Sequence, residues 1–189
     1  TAQATTSGGE GLATATFTAG TIAGNATVTA TSGTASSAVV ITLSAGPVSS
    51  LVLVDISTPA IGIQGSGTSE TANLSFEARD SNGNLVRDPV PGQPATGTLV
   101  SFNLERGGVG GGEMLSPPRV TAVNGRVTTT LRSGTIAGTV RVVAFIDTNQ
   151  NGISDVGEIA SQATSIVITG DAPWGENFSL AVLPLNIAG

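Results

Sequence analysis

The feature that most constrains this chain is a stretch of fourteen residues that occurs twice, 114 residues apart. Residues 11–24 read GLATATFTAGTIAG and residues 125–138 read GRVTTTLRSGTIAG, so both copies end in the pentapeptide GTIAG. Self-similarity at a fixed distance predicts a tandem array of similar structural units. The 189 residues have room for one complete unit of that length and for parts of its neighbours.

The composition predicts that these units are built of β-strands. Gly accounts for 26 of the 189 residues, Val, Ile, Leu, Thr, Ser and Ala dominate the rest, and no long segment has the Glu-, Lys- and Leu-rich composition of helices. Residues 73–79 show the clearest pattern, because Leu74, Phe76 and Ala78 alternate with polar residues such as Glu77. Alternation of this kind predicts a half-buried strand with one face in water. We therefore expect an all-β fold.

The first part of the chain has the pattern of an incomplete unit. Strand-like runs occur at residues 13–18, 26–31 and 38–43, each bounded by Gly, Ser or Asn. Three strands do not make a sandwich, and these three correspond to the last strands of the repeated unit. We interpret residues 1–46 as the C-terminal part of one unit, which ends where Pro47 interrupts the strand pattern.

The remainder is interpreted as one complete unit and the beginning of another. Residues 47–173 contain about seven strand-like runs, and a unit of this length can bury about two-thirds of its unfolded surface. Residues 174–189 resemble the opening of that unit in order and texture. They are interpreted as the first strand of a further unit, which begins after Ala172-Pro173.

Four short motifs suggest a family for the complete unit. They are D-S-N-G-N at 80–84, V-S-F at 100–102, L-S-P at 115–117 followed by N-G at 124–125, and S-G-T-x-A-G-x-V-x-V-x-A at 133–144. Through these motifs the unit resembles the bacterial immunoglobulin-like domains of the invasin and intimin group, which stand in tandem on outer-membrane adhesins. The resemblance implies an immunoglobulin-like β-sandwich in a tandem array, located outside the cell or on the bacterial surface.

The charge and the residue types exclude several classes of function. The net charge is −6, so we expect neither nucleic acid nor an anionic membrane as a partner, because both attract basic proteins. No apolar run reaches the length of about eighteen residues that a membrane span needs. Cys, His and Lys are all absent, which leaves only carboxylates and hydroxyls for catalysis. We predict that the chain is not an enzyme.

Residues 147–158, DTNQNGISDVGE, match the pattern of a calcium loop over all twelve positions. Oxygen atoms at alternate positions of this pattern converge on one ion, and a Gly at the sixth position permits the sharp bend. The predicted ligands are the side chains of Asp147, Asn149, Asn151, Asp155 and Glu158 and the main-chain carbonyl of Ile153. The flanking residues are strand-like, so we expect the loop to join a β-hairpin rather than two helices. The alternative is a long solvated turn without a metal.

The shorter motif at 80–84 is also rich in oxygen atoms, but it lacks a distal Glu. We interpret it as a plain turn rather than a second metal site. In an immunoglobulin-like sandwich, residues 80–97, Asn124 and the loop at 147–158 should lie at the end where the chain enters. The calcium would then sit near the hinge with the preceding unit.

The function that we predict is structural. The chain is interpreted as a segment of a secreted or surface-displayed bacterial stalk, adhesin or fibre, stiffened by calcium. Its expected partners are neighbouring immunoglobulin-like units or copies of itself, and a host or cell-surface receptor if it belongs to an adhesin. One alternative is a filament subunit that polymerises by β-strand exchange. A weaker alternative is a carbohydrate-binding module, for which one Trp and five Phe supply few aromatic platforms.

Overall fold

A computed structural model describes residues 13–87 and 97–170, in which the regular structure is β-strand apart from one short 3-10 turn at Glu105–Gly107. The expected first strand of a further unit, residues 174–189, lies outside the described residues. No helix in the described part of the chain could cross a membrane.

The first regular structure in the described residues is a two-stranded antiparallel hairpin. Strand β1 (Gly24–Ser32) pairs along its whole length with β2 (Ala35–Leu43), from Gly24 opposite Leu43 to Ser32 opposite Ala35. The turn between the strands contains Gly33 with a φ of 59°, a conformation that glycine adopts without strain. The strands predicted at 26–31 and 38–43 are therefore confirmed, and both extend further than the sequence pattern indicated.

The strand predicted at residues 13–18 is wrong. These residues form no regular structure, and they are exposed. A strand needs a neighbouring strand that satisfies its backbone N–H and C=O groups, and no strand in the described part of the chain pairs with this segment. Apolar and polar residues do alternate at 13–18, but the segment has no partner strand in the described part of the chain.

Two sheets form the body of the molecule. One has the strand order β3-β5-β9-β7 and the other has the order β4-β11-β10-β6-β8. All neighbouring strands are antiparallel except β4 and β11, which are parallel. The strands are β3 (Ser50–Ile56), β4 (Ala60–Gly62), β5 (Thr71–Arg79), β6 (Leu99–Leu104), β7 (Met114–Ser116), β8 (Arg119–Thr121), β9 (Arg126–Arg132), β10 (Gly138–Phe145) and β11 (Thr164–Thr169).

This arrangement confirms the predicted all-β, immunoglobulin-like sandwich. The sequence pattern gave about seven strands between residues 47 and 173, whereas the described part of this unit contains nine. Six of the nine match the predicted runs, and the other three, β4, β7 and β8, have only three residues each. Three residues are too few to show a period of two, so such strands are visible only through their pairing.

The inner faces of the two sheets meet in one apolar core. Phe76 of β5 and Phe102 of β6 contact each other across the sandwich, with ring centroids 5.7 Å apart and planes tilted by 42°. Leu74 and Leu131 pack beside them from the four-stranded sheet, and Val142 packs from the five-stranded sheet; all three are fully buried. The alternating apolar residues of β5 and β9 thus face inward as predicted.

Glu77 departs from the predicted wet face of β5, because it is only 6% exposed. Arg79 donates two hydrogen bonds to one carboxylate oxygen, at 3.1 and 2.6 Å, and Arg126 donates two to the other, at 3.0 and 2.7 Å. The hydrogen bond from Arg79 is the largest cause of a lowered pKa of Glu77. The two guanidinium groups cover the carboxylate, so a side chain on the outer face becomes buried by its neighbours.

Truncation of the inter-sheet contact should destabilise the sandwich strongly. Phe76→Ala is expected to lower the free energy of unfolding by about 3–5 kcal/mol, because it removes a fully buried ring from between the two sheets. Urea unfolding followed by far-ultraviolet circular dichroism measures the free energy of unfolding of both proteins.

Val52→Ala is the matched control. Val52 lies on the outer face of β3 and is 39% exposed, so its truncation should cost less than about 1 kcal/mol. Equal costs for the two substitutions would contradict the assignment of Phe76 to the core.

Candidate inter-unit junction and metal loop

The strand registers place three loops at one end of the sandwich. Ser50 at the start of β3 pairs with Arg79 at the end of β5, and β9 begins beside that end of β5. Strand β8 leads into β9 and pairs with the start of β6, where Ser101 also pairs with Phe145 at the end of β10. The turn after β5, the turn before β9 and the loop at 147–158 therefore lie where the chain enters from the hairpin, as expected from the sequence.

Asp80 is the centre of the turn that follows β5, and it is 5% exposed. Its Oδ1 atom accepts hydrogen bonds from the backbone N–H groups of Asn82 and Asn84, both at 2.9 Å. Its Oδ2 atom accepts from the N–H of Gly46 and from the side-chain amide of Asn84, again at 2.9 Å. Gly46 lies in the connection between the hairpin and the sandwich. One carboxylate thus holds both the turn and the connection.

Asn84 joins the same turn to the first GTIAG pentapeptide. Its Nδ2 atom donates to the carbonyl of Thr21 at 2.7 Å, and its Oδ1 atom accepts from the N–H of Ala23 at 3.0 Å. A side-chain amide that donates to one backbone group and accepts from another fixes both position and direction. The segment that leads into β1 is thereby held against the turn that follows β5.

The junction is held by polar contacts more than by packing. Clefts of about 350 and 680 Å³ remain beside the turn, and Asn84 lines both of them. Their other walls come from the GTIAG segment, from the end of β2 and from residues 85–87. Because no residue of the hairpin or of its leading segment, 13–46, is buried, the hydrogen bonds of Asp80 and Asn84 are the specific contacts that join the two parts.

The environment of Asp80 favours its charged form. The hydrogen bond from the Asn84 side chain is the largest cause, the N–H of Gly46 follows, and together with the turn N–H groups they lower the pKa of Asp80 from 3.8 to about 2. The carboxylate is therefore ionised, and accepts all four hydrogen bonds, at any pH above the acid range.

The sequence did not reveal this role for Asp80 and Asn84. The motif at 80–84 was interpreted as a plain turn, and it does form a turn, with a hydrogen bond from the N–H of Gly83 to the carbonyl of Asp80. The partners that make it a junction lie 34 to 63 positions away along the chain. The usable signal was that the motif lies at the entry end and carries two side chains able to bind backbone groups.

The first residue of the predicted metal loop, Asp147, is fastened to the five-stranded sheet. Its Oδ1 atom accepts from the N–H of Asn151 at 3.1 Å, and its Oδ2 atom accepts from the N–H of Gly152 at 3.0 Å. Arg119 donates to the same Oδ2 at 2.9 Å and to the hydroxyl of Ser101 at 3.2 Å. The Asp147 side chain is 2% exposed, so the loop starts from a fixed point.

Asp155 accepts hydrogen bonds from two side chains in the middle of the loop. The side-chain amides of Asn149 and Asn151 both donate to its Oδ2 atom, at 2.9 and 2.7 Å. The hydrogen bond from Asn149, followed by that from Asn151, lowers the pKa of Asp155. The amide oxygen of Asn149 accepts the N–H of Asn151, and that of Asn151 accepts the N–H of Ile153. The side chain of Ile153 is exposed.

Glu158, the last residue of the loop, is hydrogen-bonded to Thr148 near the start of the loop. Its Oε1 atom accepts from the N–H and the hydroxyl of Thr148, at 2.8 and 3.0 Å, and its Oε2 atom accepts from the N–H of Asp155 at 3.1 Å. The bond from Asp155 is the largest cause of a lowered pKa of Glu158, whereas the negative charge of Asp147 acts in the opposite direction.

The donor set of this loop fits calcium in its chemistry. Carboxylate and amide oxygens with a main-chain carbonyl are the ligands that calcium takes in proteins, and the predicted residues belong to one closed loop. In the described residues, however, no three Asp or Glu side chains converge closely enough to hold a metal ion. Hydrogen bonds within the loop occupy the carboxylates instead. The calcium site therefore stays a prediction.

The loop shares one end of the sandwich with the junction, but it is not part of the junction itself. The hydrogen bonds between the hairpin side and the sandwich come from Asp80 and Asn84. The residues that line the two clefts come from the hairpin, the connection, the segment at 80–87 and Asn124. The loop thus lies at the expected end of the sandwich but outside the junction, and the calcium at the hinge stays a prediction.

Comparison with known proteins agrees with the fold. No family model matches the sequence, and no curated protein matches it. The structure is similar to that of InvD from Yersinia pseudotuberculosis, with 20% identity and a TM-score of 0.51 over 97% of this chain and 49% of that chain. FdeC, an Escherichia coli adhesin, has 19% identity and a TM-score of 0.45 over 71% of this chain and 36% of that chain.

Enzymes also occur among the similar structures. A glycosyl hydrolase family 2 member from Bacteroides cellulosilyticus has 16% identity and a TM-score of 0.44 over 79% of this chain and 18% of that chain. The chain thus spans about half the length of InvD and smaller parts of the other two. At 20% identity the similarity to InvD shows the fold alone. The prediction that the chain is not an enzyme stays a prediction.

Replacement of Asp80 should change how the melting temperature of the protein depends on pH. Because the folded-state pKa of Asp80 lies below its ordinary value, at about 2 instead of 3.8, its ionised form stabilises the folded protein above about pH 4, and this contribution is lost as the pH falls towards 2. Asp80→Asn should lower the melting temperature by on the order of 5 °C at neutral pH. The difference from the wild type should shrink between pH 4 and 2 in thermal unfolding experiments.

Ser81→Ala is the control, since Ser81 is exposed in the same turn. Its melting temperature should follow that of the wild type at every pH. A difference between Asp80→Asn and the wild type that stays constant down to pH 2 would show that the charge of Asp80 does not stabilise the fold.

Proposed function

We propose that this chain is a segment of a bacterial surface-displayed array of immunoglobulin-like units, and that its role is to span distance, as in the stalk of an adhesin. The observation that carries the proposal is the junction at Asp80 and Asn84. Side-chain hydrogen bonds there tie a β-hairpin and its leading segment to the entry end of a complete sandwich. A stalk needs such fixed joints between successive units.

The geometry of the complete unit suits a linear array. The chain enters at the end where β3 begins, and Ile168 near the end of β11 pairs with Gly138 at the start of β10, which is the opposite end. Entry and exit at opposite ends let successive units follow one another along one axis. Neighbouring units are therefore the expected partners, and a receptor, if the array belongs to an adhesin, would be bound elsewhere along it.

The similarity in fold to InvD and the sequence resemblance to the invasin and intimin group support this reading. Both concern β-sandwich units, and the resemblance places such units in tandem on the bacterial surface. The GTIAG pentapeptide begins its following strand at the same residue in both copies, since β1 starts at Gly24 and β10 starts at Gly138. The repeat in sequence thus has a repeat in local structure, which favours an array.

Loss of the Asn84 amide should loosen the joint. The chain has no Cys, so spin labels can be placed at Ser36→Cys on the hairpin and Ser165→Cys on β11, both exposed. Pulsed electron paramagnetic resonance should give one narrow distance distribution, and Asn84→Ala should at least double its width, because both bonds to the first GTIAG are lost.

The control for this experiment is Ser81→Ala, which leaves the bonds of Asp80 and Asn84 in place. Its distance distribution should match that of the unsubstituted labelled protein. A broad distribution before any substitution would mean that the hairpin and the sandwich are not held at a fixed angle, and the stalk proposal would then lose its main support.

The second part of the proposal is that the loop at 147–158 binds calcium. The side chains of Asp147, Asn149, Asn151, Asp155 and Glu158 and the carbonyl of Ile153 would hold the ion, and bound calcium would supply the positive charge that offsets three carboxylates. Because Arg119 ties Asp147 to the sheet, the binding energy would stabilise the entry end of the sandwich. The stiffening would therefore act on the unit that carries the junction.

Calcium should raise the melting temperature of the protein. A dissociation constant of roughly 10⁻⁶ to 10⁻³ M is typical of loops from sensors to extracellular modules, and free calcium at about a hundred times that constant should raise the melting temperature by on the order of 5 to 15 °C. Glu158→Gln should remove most of the gain, because it deletes the charge of the last ligand.

Ser154→Ala is the matched control, since the eighth position of the loop supplies no ligand. It should retain the full calcium effect. Scanning calorimetry in excess calcium and in excess chelator separates the cases, and identical melting curves for the unsubstituted protein would show that the loop is only a turn.

A further inference from the structure

The second GTIAG pentapeptide lies at the exit end of the sandwich in the same form as the first. In both copies the Thr and Ile form a bend and the final Gly begins a strand. The strand pairing is also the same, because Gly24 lies opposite Leu43 in the hairpin and Gly138 lies opposite Ile168 in the sandwich. The two pentapeptides are thus identical in sequence and alike in their bend and in their strand register, although Gly24 has a φ of 146° and Gly138 has no positive φ.

The first pentapeptide is occupied by Asn84 of the unit that follows it. The carbonyl of Thr21 accepts from the Asn84 amide and the N–H of Ala23 donates to its oxygen. The equivalent groups of the second pentapeptide are the carbonyl of Thr135 and the N–H of Ala137. Neither group has a hydrogen-bond partner within the described residues, and both residues are exposed.

Hydrogen bonds to Gly111 and Gln64 hold the second pentapeptide in place. Thr135 donates its N–H and its hydroxyl to the carbonyl of Gly111, at 2.9 and 3.3 Å. The carbonyl of Gly134 accepts the N–H of Gln64 at 2.8 Å. These bonds use other groups of the pentapeptide and do not involve the carbonyl of Thr135 or the N–H of Ala137.

We infer that this exit-end pentapeptide, Gly134–Gly138, is a docking surface for the Asp-x-Asn-Gly-Asn turn of a following immunoglobulin-like unit, which would bind it as Asn84 binds the first copy. The inference rests on the proposed array. It identifies the contact between the pentapeptide of one unit and the turn of the next as the one that fixes the position of successive units. The pentapeptide and the turn together form a two-part connector that each complete unit carries at its two ends. Such a rule explains why GTIAG is identical in both copies while the preceding residues differ.

The connecting segment is compatible with this docking. Gly46 donates to Asp80 at the first junction, and a Cβ atom added there would lie 3.6 Å from Oδ2 of Asp80, which is ordinary contact. Ala172 before Pro173 can therefore take the place of Gly46 before Pro47. In the sequence, Pro47 follows the paired Leu43 by four residues and Pro173 follows the paired Ile168 by five, so the two connections differ in length by one residue.

The test uses a lengthened chain in which a second copy of residues 47–189 follows Ala172. Spin labels at Ser165→Cys in both sandwiches report the distance between the two units. One narrow distribution is expected, and Asn84→Ala in the second copy alone should at least double its width. The N–H of Ala137 in the first copy should also exchange with solvent at least tenfold more slowly than in the original 189-residue chain.

Asn84→Ala in the first copy alone is the control, because it loosens the hairpin and should leave the sandwich-to-sandwich distance unchanged. A narrow distribution that ignores Asn84→Ala in the second copy would overturn the docking inference and leave the stalk proposal standing. A broad distribution in the unsubstituted lengthened chain, with a narrow hairpin-to-sandwich distance in the original chain, would overturn it in the same way. Unchanged exchange of the Ala137 N–H would do so independently.

Discussion

The arrangement of this molecule depends on the four hydrogen bonds that the carboxylate of Asp80 accepts. Two of them shape the turn after β5, one positions Asn84, and one comes from Gly46 in the connection to the hairpin. Bonds to a charged acceptor are stronger than those between neutral groups, and the lowered pKa of Asp80 shows that the ionised form is the favoured one. Asn84 is thereby held in the orientation in which it binds Thr21 and Ala23.

A junction of this kind differs from one made by apolar packing. Apolar contacts are not directional and tolerate sliding, whereas a side-chain amide that both donates and accepts is satisfied in one orientation only. Two clefts lie beside the turn, and no residue of 13–46 on the hairpin side of the joint is buried. Angle and spacing along an array can therefore be repeated by keeping a few polar residues, while the rest of each unit's surface is free to vary.

Much of the fold could be predicted from the sequence, because burial on one face of a strand leaves a period of two. Leu74, Phe76 and Ala78 showed that period, and they are buried as expected. Glu77 did not follow it, because two Arg side chains cover it: Arg79 lies two positions along the same strand, and Arg126 becomes a neighbour only when β9 pairs with β5. Residues 13–18 carried the same period without a partner strand, which shows that the pattern alone is not sufficient for a strand.

The candidate sites were predictable to different degrees for a related reason. The ligand-type residues of the loop at 147–158 lie within twelve consecutive positions, so a local pattern could find them. Asp80 and Asn84 act on Gly46, Thr21 and Ala23, which no local pattern connects to them. What the sequence did contain was the repeated pentapeptide, whose first copy is the partner of Asn84.

We propose that Asp80 and Asn84 join the hairpin and the sandwich into one rigid body. Nuclear magnetic resonance relaxation of backbone ¹⁵N nuclei in β1, β2 and the sandwich tests it most directly, because each group of nuclei reports the tumbling of the part that contains it. If the hairpin and the sandwich are rigidly joined, both parts should share a single rotational diffusion tensor at neutral pH. A hairpin that tumbles faster than the sandwich, with its own diffusion tensor, would contradict it.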